Sequence, residues 1–209
     1  MARSYPKMLT RRALLVSGLS LPLLPSLPRV AEESRWGKKL VRAARKQIGV
    51  TVSYDPAYVI LGYPGGDVDR ATGVCTDVVI RAYRDAFDTD LQVLVHEDMK
   101  SAFGGYPKIW GLTKADRNID HRRVPNLETF FRRQGAERIM PGTREDWQPG
   151  DLVTMRLGGR LPHIAIFSGF DAVTGKAMYI HNIGAGTRED ELYADYDTPR
   201  RFRFEPAGI

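Results

Sequence analysis

Apolar residues recur at helical spacing in four segments of the first two thirds of the chain. A spacing of four between apolar positions is typical of amphipathic helices, because it places those side chains on one face. Gly49 and Gly135 are expected to end the first and last of these helices, and Asn126 is expected to cap the start of the last one. The predicted helices run from Trp36 to Ile48, Thr76 to Phe87, Leu91 to Phe103 and Leu127 to Arg133.

From Asp151 onward the pattern changes to short apolar runs separated by glycine-containing turns. Gly158-Gly159 and Thr174-Gly175 supply the turn residues between neighbouring runs. Helices followed by an antiparallel meander predict an α+β fold, with N-terminal helices packed on a C-terminal antiparallel sheet. The predicted strands are Leu152–Leu157, His163–Phe170, Ala177–His181 and Arg201–Phe204.

The composition narrows the class of function. A chain of 209 residues with 43% hydrophobic and 27% charged residues is typical of one globular domain. Its formal charge of +6 comes mostly from the N-terminus, since residues 1–31 hold five basic residues and no acidic one. The remainder is nearly neutral, which argues against a nucleic-acid partner.

The N-terminal segment has the features of an export signal. Lys7, Arg11 and Arg12 precede a short apolar stretch from Leu14 to Leu27 that glycine and proline interrupt. Thr10-Arg11-Arg12 resembles the twin-arginine signal, and a general secretory signal is the alternative. We therefore expect residues 1–31 to be an export signal and residues 32–209 to form one exported, periplasmic domain. An uncleaved signal would leave the domain tethered to the membrane.

Cys75 is the single cysteine, and it follows Gly73-Val74 at the predicted start of a helix. The macrodipole and the free N–H groups at a helix start favour a thiolate, which is the nucleophilic form of cysteine. The alternative is a structural role, because free cysteines often behave as small core residues. Downstream, His163 and His181-Asn182 lie on predicted strands, an order of residues that is typical of cysteine hydrolases.

The strand motifs resemble those of NlpC-type murein peptidases, a papain-like group of cysteine peptidases. The whole segment from residue 40 to 205 is more similar still to an uncharacterised bacterial family, a domain of unknown function, that is related to this group. The strand motifs are Gly150-Asp151-Leu152-Val153, His163-Ile164-Ala165-Ile166-Phe167 and Tyr179-Ile180-His181. The motifs of the closer family are Gly73–Asp77, Asn118–Leu127 and His181–Gly184.

The resemblance implies a role for each motif residue. Cys75 would be the nucleophile, His163 the base at the mouth of its strand, and His181 the group that orients His163. Asn182 is the alternative orienting residue. Neighbours in a strand point to opposite faces, so only one of His181 and Asn182 should point into the site. Tyr63 matches a tyrosine of the oxyanion site, although it could equally pack within its glycine- and proline-rich loop.

The expected activity is hydrolysis of an amide bond in cell-wall peptide, with no metal or organic cofactor. Asp120, His121, Arg122 and Arg123 could bind a carboxylate-rich peptide or could brace their loop through ion pairs. Thr76-Asp77 stands where the resembled peptidases have Ser-Gly, which leaves the substrate open. The alternatives are acyl transfer by the same Cys–His pair and a catalytically silent module that binds the cell wall. The oligomeric state is left open.

Overall fold

The computed structural model of the protein describes residues 35–140, 142–192 and 197–206. In these ranges the chain forms four α-helices followed by a six-stranded sheet, which confirms the α+β class. The helices are α1 (Arg35–Arg45), α2 (Cys75–Phe87), α3 (Leu91–Ala102) and α4 (Val124–Arg133). The strands are β1 (Glu137–Arg138), β2 (Leu152–Leu157), β3 (Leu161–Phe170), β4 (Ala177–Asn182), β5 (Thr187–Glu191) and β6 (Asp197–Phe202).

The sheet is antiparallel throughout, in the order β1-β6-β2-β3-β4-β5. Strands β2, β3 and β4 are consecutive neighbours, as the predicted meander requires. The predicted fourth strand, observed as β6, pairs with β2 instead of continuing the meander, and β5 lies beside β4 in its place. The turn between β2 and β3 contains Gly158 and Gly159, both with positive φ, as tight hairpins require. Strand β5 was missed in the sequence because Thr-Arg-Glu-Asp-Glu has none of the apolar residues by which a strand is recognised.

Alternation along the strands divides the core between the two faces of the sheet. On one face, Ile164 and Ile166 of β3 pack with the helices in a cluster that includes Cys75. On the other face, Ala165 and Phe167 pack with Tyr179 and Trp147 in a smaller cluster. The site residues on β3 and β4 are therefore presented from a sheet that is buried on both sides.

Helix α4 begins three residues before the predicted start. Its first two residues are Val124 and Pro125, and Arg123 occupies the N-cap position. Proline is favoured in the first turn because the missing N–H would have no partner there. Asn126 is therefore inside the helix, where its side-chain amide donates to the Asp120 carbonyl at 3.1 Å, and the expectation that it caps the helix was wrong.

The expected export signal, residues 1–31, lies outside the described residues. Among the helices that are described, none combines the length and the apolar character needed to cross a membrane.

Candidate active site

Cys75 is the first residue of α2 and borders a pocket of about 240 Å³. The thiol is almost fully buried, since Cys75 is only 4% exposed. The preceding residue, Val74, has an extended backbone and donates its N–H to the Asp77 carboxylate at 2.7 Å. The other pocket-lining residues that matter for its chemistry are Tyr54, Trp110, Arg122, Arg123 and Pro162.

Burial decides the protonation state of the Cys75 thiol. Burial, with a smaller contribution from the nearby Asp77 carboxylate, raises its pKa to about 11. The backbone amides around the helix start and that of Ile164 in β3 act in the opposite direction, as expected for a helix N-terminus. Their effect is smaller than that of burial, so in this conformation Cys75 is a neutral thiol at pH 7, rather than the thiolate that its helix position alone would predict.

The pKa of about 11 predicts how fast Cys75 should be alkylated. Iodoacetamide reacts with the thiolate. As long as the pH is below the pKa, the thiolate fraction rises about tenfold for each unit by which the pH increases. We expect the labelling rate of the native chain, followed by mass spectrometry, to rise in this way from pH 6 to 9. The same chain unfolded in urea is the control and should level off near the ordinary cysteine pKa, about 8.5. A plateau below pH 7 in the native chain would contradict the neutral resting thiol.

A continuous series of side-chain hydrogen bonds crosses three adjacent strands, from His163 through His181 to Asp190. His163 Nε2 lies 3.2 Å from His181 Nδ1, and His181 Nε2 lies 2.6 Å from Asp190 Oδ1. An ionised carboxylate can only accept, so His181 Nε2 carries a proton, and in a neutral ring His181 Nδ1 then accepts from His163 Nε2. This assignment leaves His163 Nδ1 unprotonated and able to act as a base.

Both imidazole rings are neutral at pH 7. Burial, followed by the proximity of His181, lowers the pKa of His163 to about 3. Burial also lowers the pKa of His181, although the bond to Asp190 opposes this shift. Neutral rings are what the hydrogen-bond assignment requires.

The thiol and the base approach the same part of β3. The Cys75 thiol lies against the backbone amide of Ile164, the residue that follows His163. Within the described part of the chain, no hydrogen bond joins the thiol to the His163 ring. The structure therefore does not pair the thiol with the His163 ring.

Asn182 contacts different groups from its neighbour His181, as strand alternation predicts. Its side-chain amide donates to the carbonyls of Ser53 at 3.1 Å and Gly73 at 3.0 Å. It therefore holds the loop that leads into Cys75, whereas His181 is the residue that contacts His163.

Arg122 is held in a buried ion pair beside the nucleophile. Its Nε and Nη2 atoms donate to the two carboxylate oxygens of Asp77, both at 2.9 Å. The Arg122 carbonyl in turn accepts the Thr76 hydroxyl at 3.0 Å. Thr76 and Asp77 thus connect the start of α2 to the segment that contains Arg122.

The structure gives different surroundings to the four residues that were predicted to bind a peptide or brace their loop, namely Asp120, His121, Arg122 and Arg123. Asp120 accepts the backbone N–H of Asp116, and His121 is buried, with its pKa lowered to about 3 mainly by desolvation. These two brace the loop, while Arg122 and Arg123 border the Cys75 pocket.

The structure places Tyr54, not Tyr63, in the Cys75 pocket. The Tyr63 hydroxyl donates to Glu97 at 3.0 Å, and its ring packs edge-on against His96. Tyr54 lines the pocket, and burial together with the neighbouring Cys75 raises its pKa to about 12. The sequence analysis missed Tyr54. It also missed Asp190, which alternation within a recognised β5 would have placed on the same face as His181.

Metal-ligating side chains do not converge in the described ranges, where no group of three or more His, Cys, Asp or Glu residues could hold an ion.

Comparison with known proteins places this site inside a recognised domain. Residues 41–204 match the model of a family described as "Domain of unknown function (DUF1287)". The chain is also similar to "Uncharacterized protein YijF" of Escherichia coli (strain K12), with 50% identity over 161 residues. That alignment covers 77% of this chain and 78% of the relative. The range matched by the family model includes Cys75, His163, His181 and Asp190.

Proposed function

The chain belongs to the DUF1287 family, a domain of unknown function as predicted, and we propose that it is an exported cysteine hydrolase that cleaves an amide bond in cell-wall peptides. We further propose that its α+β domain has the papain-like, NlpC-type architecture. The observation that carries the proposal is the series of hydrogen bonds from His163 through His181 to Asp190, because it leaves His163 Nδ1 unprotonated. The next residue along the strand, Ile164, is the one whose backbone amide Cys75 contacts.

In the first step of the proposed reaction, the Cys75 proton passes to His163 Nδ1 as the sulfur attacks the amide carbonyl. The resulting tetrahedral species collapses to a thioester as His163 donates its proton to the leaving amine. A water molecule, deprotonated by His163, then hydrolyses the thioester and restores the thiol. His181 and Asp190 stabilise the imidazolium in both halves of the reaction.

Two groups at the pocket are suited to stabilise the oxyanion. The Cys75 backbone N–H lies at the start of α2, where helix geometry leaves it without an intrahelical acceptor. The Tyr54 hydroxyl is the second proposed donor, since Tyr54 lines the Cys75 pocket and Tyr63 is bonded to Glu97. Removal of one such donor typically lowers the rate by roughly 10²–10³-fold.

The resting state requires a rearrangement before the reaction. Burial favours the uncharged forms of Cys75 and His163, whose pKa values lie at about 11 and about 3. We propose that substrate entry shifts the thiol towards His163, so that proton transfer accompanies attack rather than preceding it. The cell-wall substrate itself is proposed from the resemblance to murein peptidases together with the expected export signal.

The orienting role of His181 is tested by comparing three variants on a murein tripeptide substrate. We expect His181→Ala to reduce kcat by roughly 10²–10⁴-fold, because the tautomer and orientation of His163 are lost. Asp190→Asn should have a smaller effect, roughly tenfold, since it acts through His181. Asn182→Ala, which leaves the His163 contact intact, is the matched control and should lower kcat less than His181→Ala.

Melting temperatures of all three variants are needed, because misfolding would imitate a catalytic loss. A folded His181→Ala chain with near-normal kcat, beside a folded Asn182→Ala chain that is inactive, would reverse the assignment.

A further inference from the structure

Arg123 borders the Cys75 pocket with a guanidinium group that the protein only partly satisfies. Its Nη1 atom contacts Asp120 Oδ1 at 3.4 Å, a long distance for an ion pair, and its side chain is 18% exposed. Among the described residues, the Nε and Nη2 atoms of Arg123 have no hydrogen-bond acceptor. Three or more N–H bonds are therefore available to a ligand in the pocket.

Trp110 lies against this guanidinium group. The guanidinium carbon of Arg123 lies 4.2 Å from the centre of the Trp110 ring, within the range of a cation–π contact. Both side chains line the same pocket as Cys75. An aromatic contact restricts the movement of an arginine side chain, which favours bidentate binding of a carboxylate by its fork of donors.

The adjacent Arg122, unlike Arg123, is fully paired with a carboxylate. Asp77 binds Arg122 through both oxygens at 2.9 Å, and this pairing raises the pKa of Arg122 despite its burial. Burial lowers the pKa of Arg123, and the opposing effects of Asp120 and Asp116 do not offset it. An anion that enters the pocket would supply the missing compensation to Arg123 but not to Arg122.

We propose that Arg123, held against Trp110, binds a free carboxylate of the substrate next to the amide bond that Cys75 attacks. The inference rests on the proposed function and adds the substrate class: peptides that carry an ionised carboxylate close to the cleaved bond. It also separates the roles of neighbouring residues, since Arg122 holds the start of α2 and Arg123 selects the ligand.

Binding is measured by calorimetry with the full-length Cys75→Ala chain, so that no reaction occurs. The probes are L-Ala-γ-D-Glu-meso-diaminopimelate and the same tripeptide with its carboxylates converted to carboxamides. We expect the acid form to bind roughly ten- to a hundredfold more tightly, as for charge-assisted hydrogen bonds. Adding Arg123→Gln should remove this preference, and Arg123→Lys should retain part of it. Arg138→Gln, a surface arginine outside the pocket, is the matched control and should retain all of it.

A kinetic measurement distinguishes recognition from a structural effect. In the chain that keeps Cys75, Arg123→Gln should raise KM for the acid peptide more than it lowers kcat. An unchanged acid-to-amide ratio in a folded Arg123→Gln chain would overturn the inference, as would failure of the acid peptide to bind. If the Arg123-dependent preference is found but neither peptide is cleaved, the carboxylate site stands and the proposed hydrolase activity fails.

Discussion

Replacing Asp77 with alanine is expected to lower the free energy of unfolding by about 3–5 kcal/mol, the cost of leaving one member of a buried ion pair alone. Arg122 and Asp77 are among the most buried charged side chains, with side-chain exposures of 2% and 4%. Without Asp77, the Arg122 guanidinium would retain only its two long bonds to backbone carbonyls, those of Ala57 and Asp55. The Val74 N–H would also lose its acceptor, which removes the cap from α2.

The measurement is urea unfolding, with Asp85→Ala as the matched control. Asp85 also accepts two bonds from one arginine, Arg70, but this pair is much more exposed. Exposed ion pairs contribute at most about 1 kcal/mol, so the control should be only mildly destabilised. Equal destabilisation of the two variants would show that the Asp77–Arg122 pair does not have the structural role assigned to it.

Replacing Cys75 with alanine is expected to lower turnover of a murein peptide by at least about 10⁴-fold, because loss of the nucleophile removes the covalent pathway. The fold should change little, since the substitution removes one sulfur atom from a buried site at a cost of about 1 kcal/mol. Turnover by HPLC and the melting temperature together separate the two effects.

Each other outcome of this experiment has a defined meaning. Turnover that persists in Cys75→Ala would assign the chemistry to another group and contradict the proposed mechanism. If both chains bind the peptide equally and neither turns it over, the protein is the silent binding module considered as an alternative.

The helices and the central strands were predictable because their apolar residues repeat at regular spacing. Helix α2 begins one residue before its predicted start, and β2 has its predicted bounds, Leu152–Leu157. The placement of His163 and His181 on adjacent strands also followed from the sequence, and the structure brings their rings within hydrogen-bond distance. Strand β5 was not predictable in this way, and with it the Asp190 partner of His181 was missed.

The parts of the site that were not predictable depend on contacts between distant segments. A helix start favours a thiolate, but the burial that raises the pKa of Cys75 depends on which residues cover it. The resemblance to murein peptidases selected Tyr63, whereas the path of the loop brings Tyr54 to the pocket instead. Likewise, the choice between a brace and a ligand site for Asp120–Arg123 was open until their individual partners were seen.

Mass spectrometry of purified murein peptides, before and after incubation with the protein lacking residues 1–31, tests the central claim most directly. Hydrolysis of an amide predicts two new fragments whose masses sum to that of the parent peptide plus one water, and their absence in the Cys75→Ala chain. Peptides whose masses stay unchanged with the intact chain, although they bind it, would contradict the account.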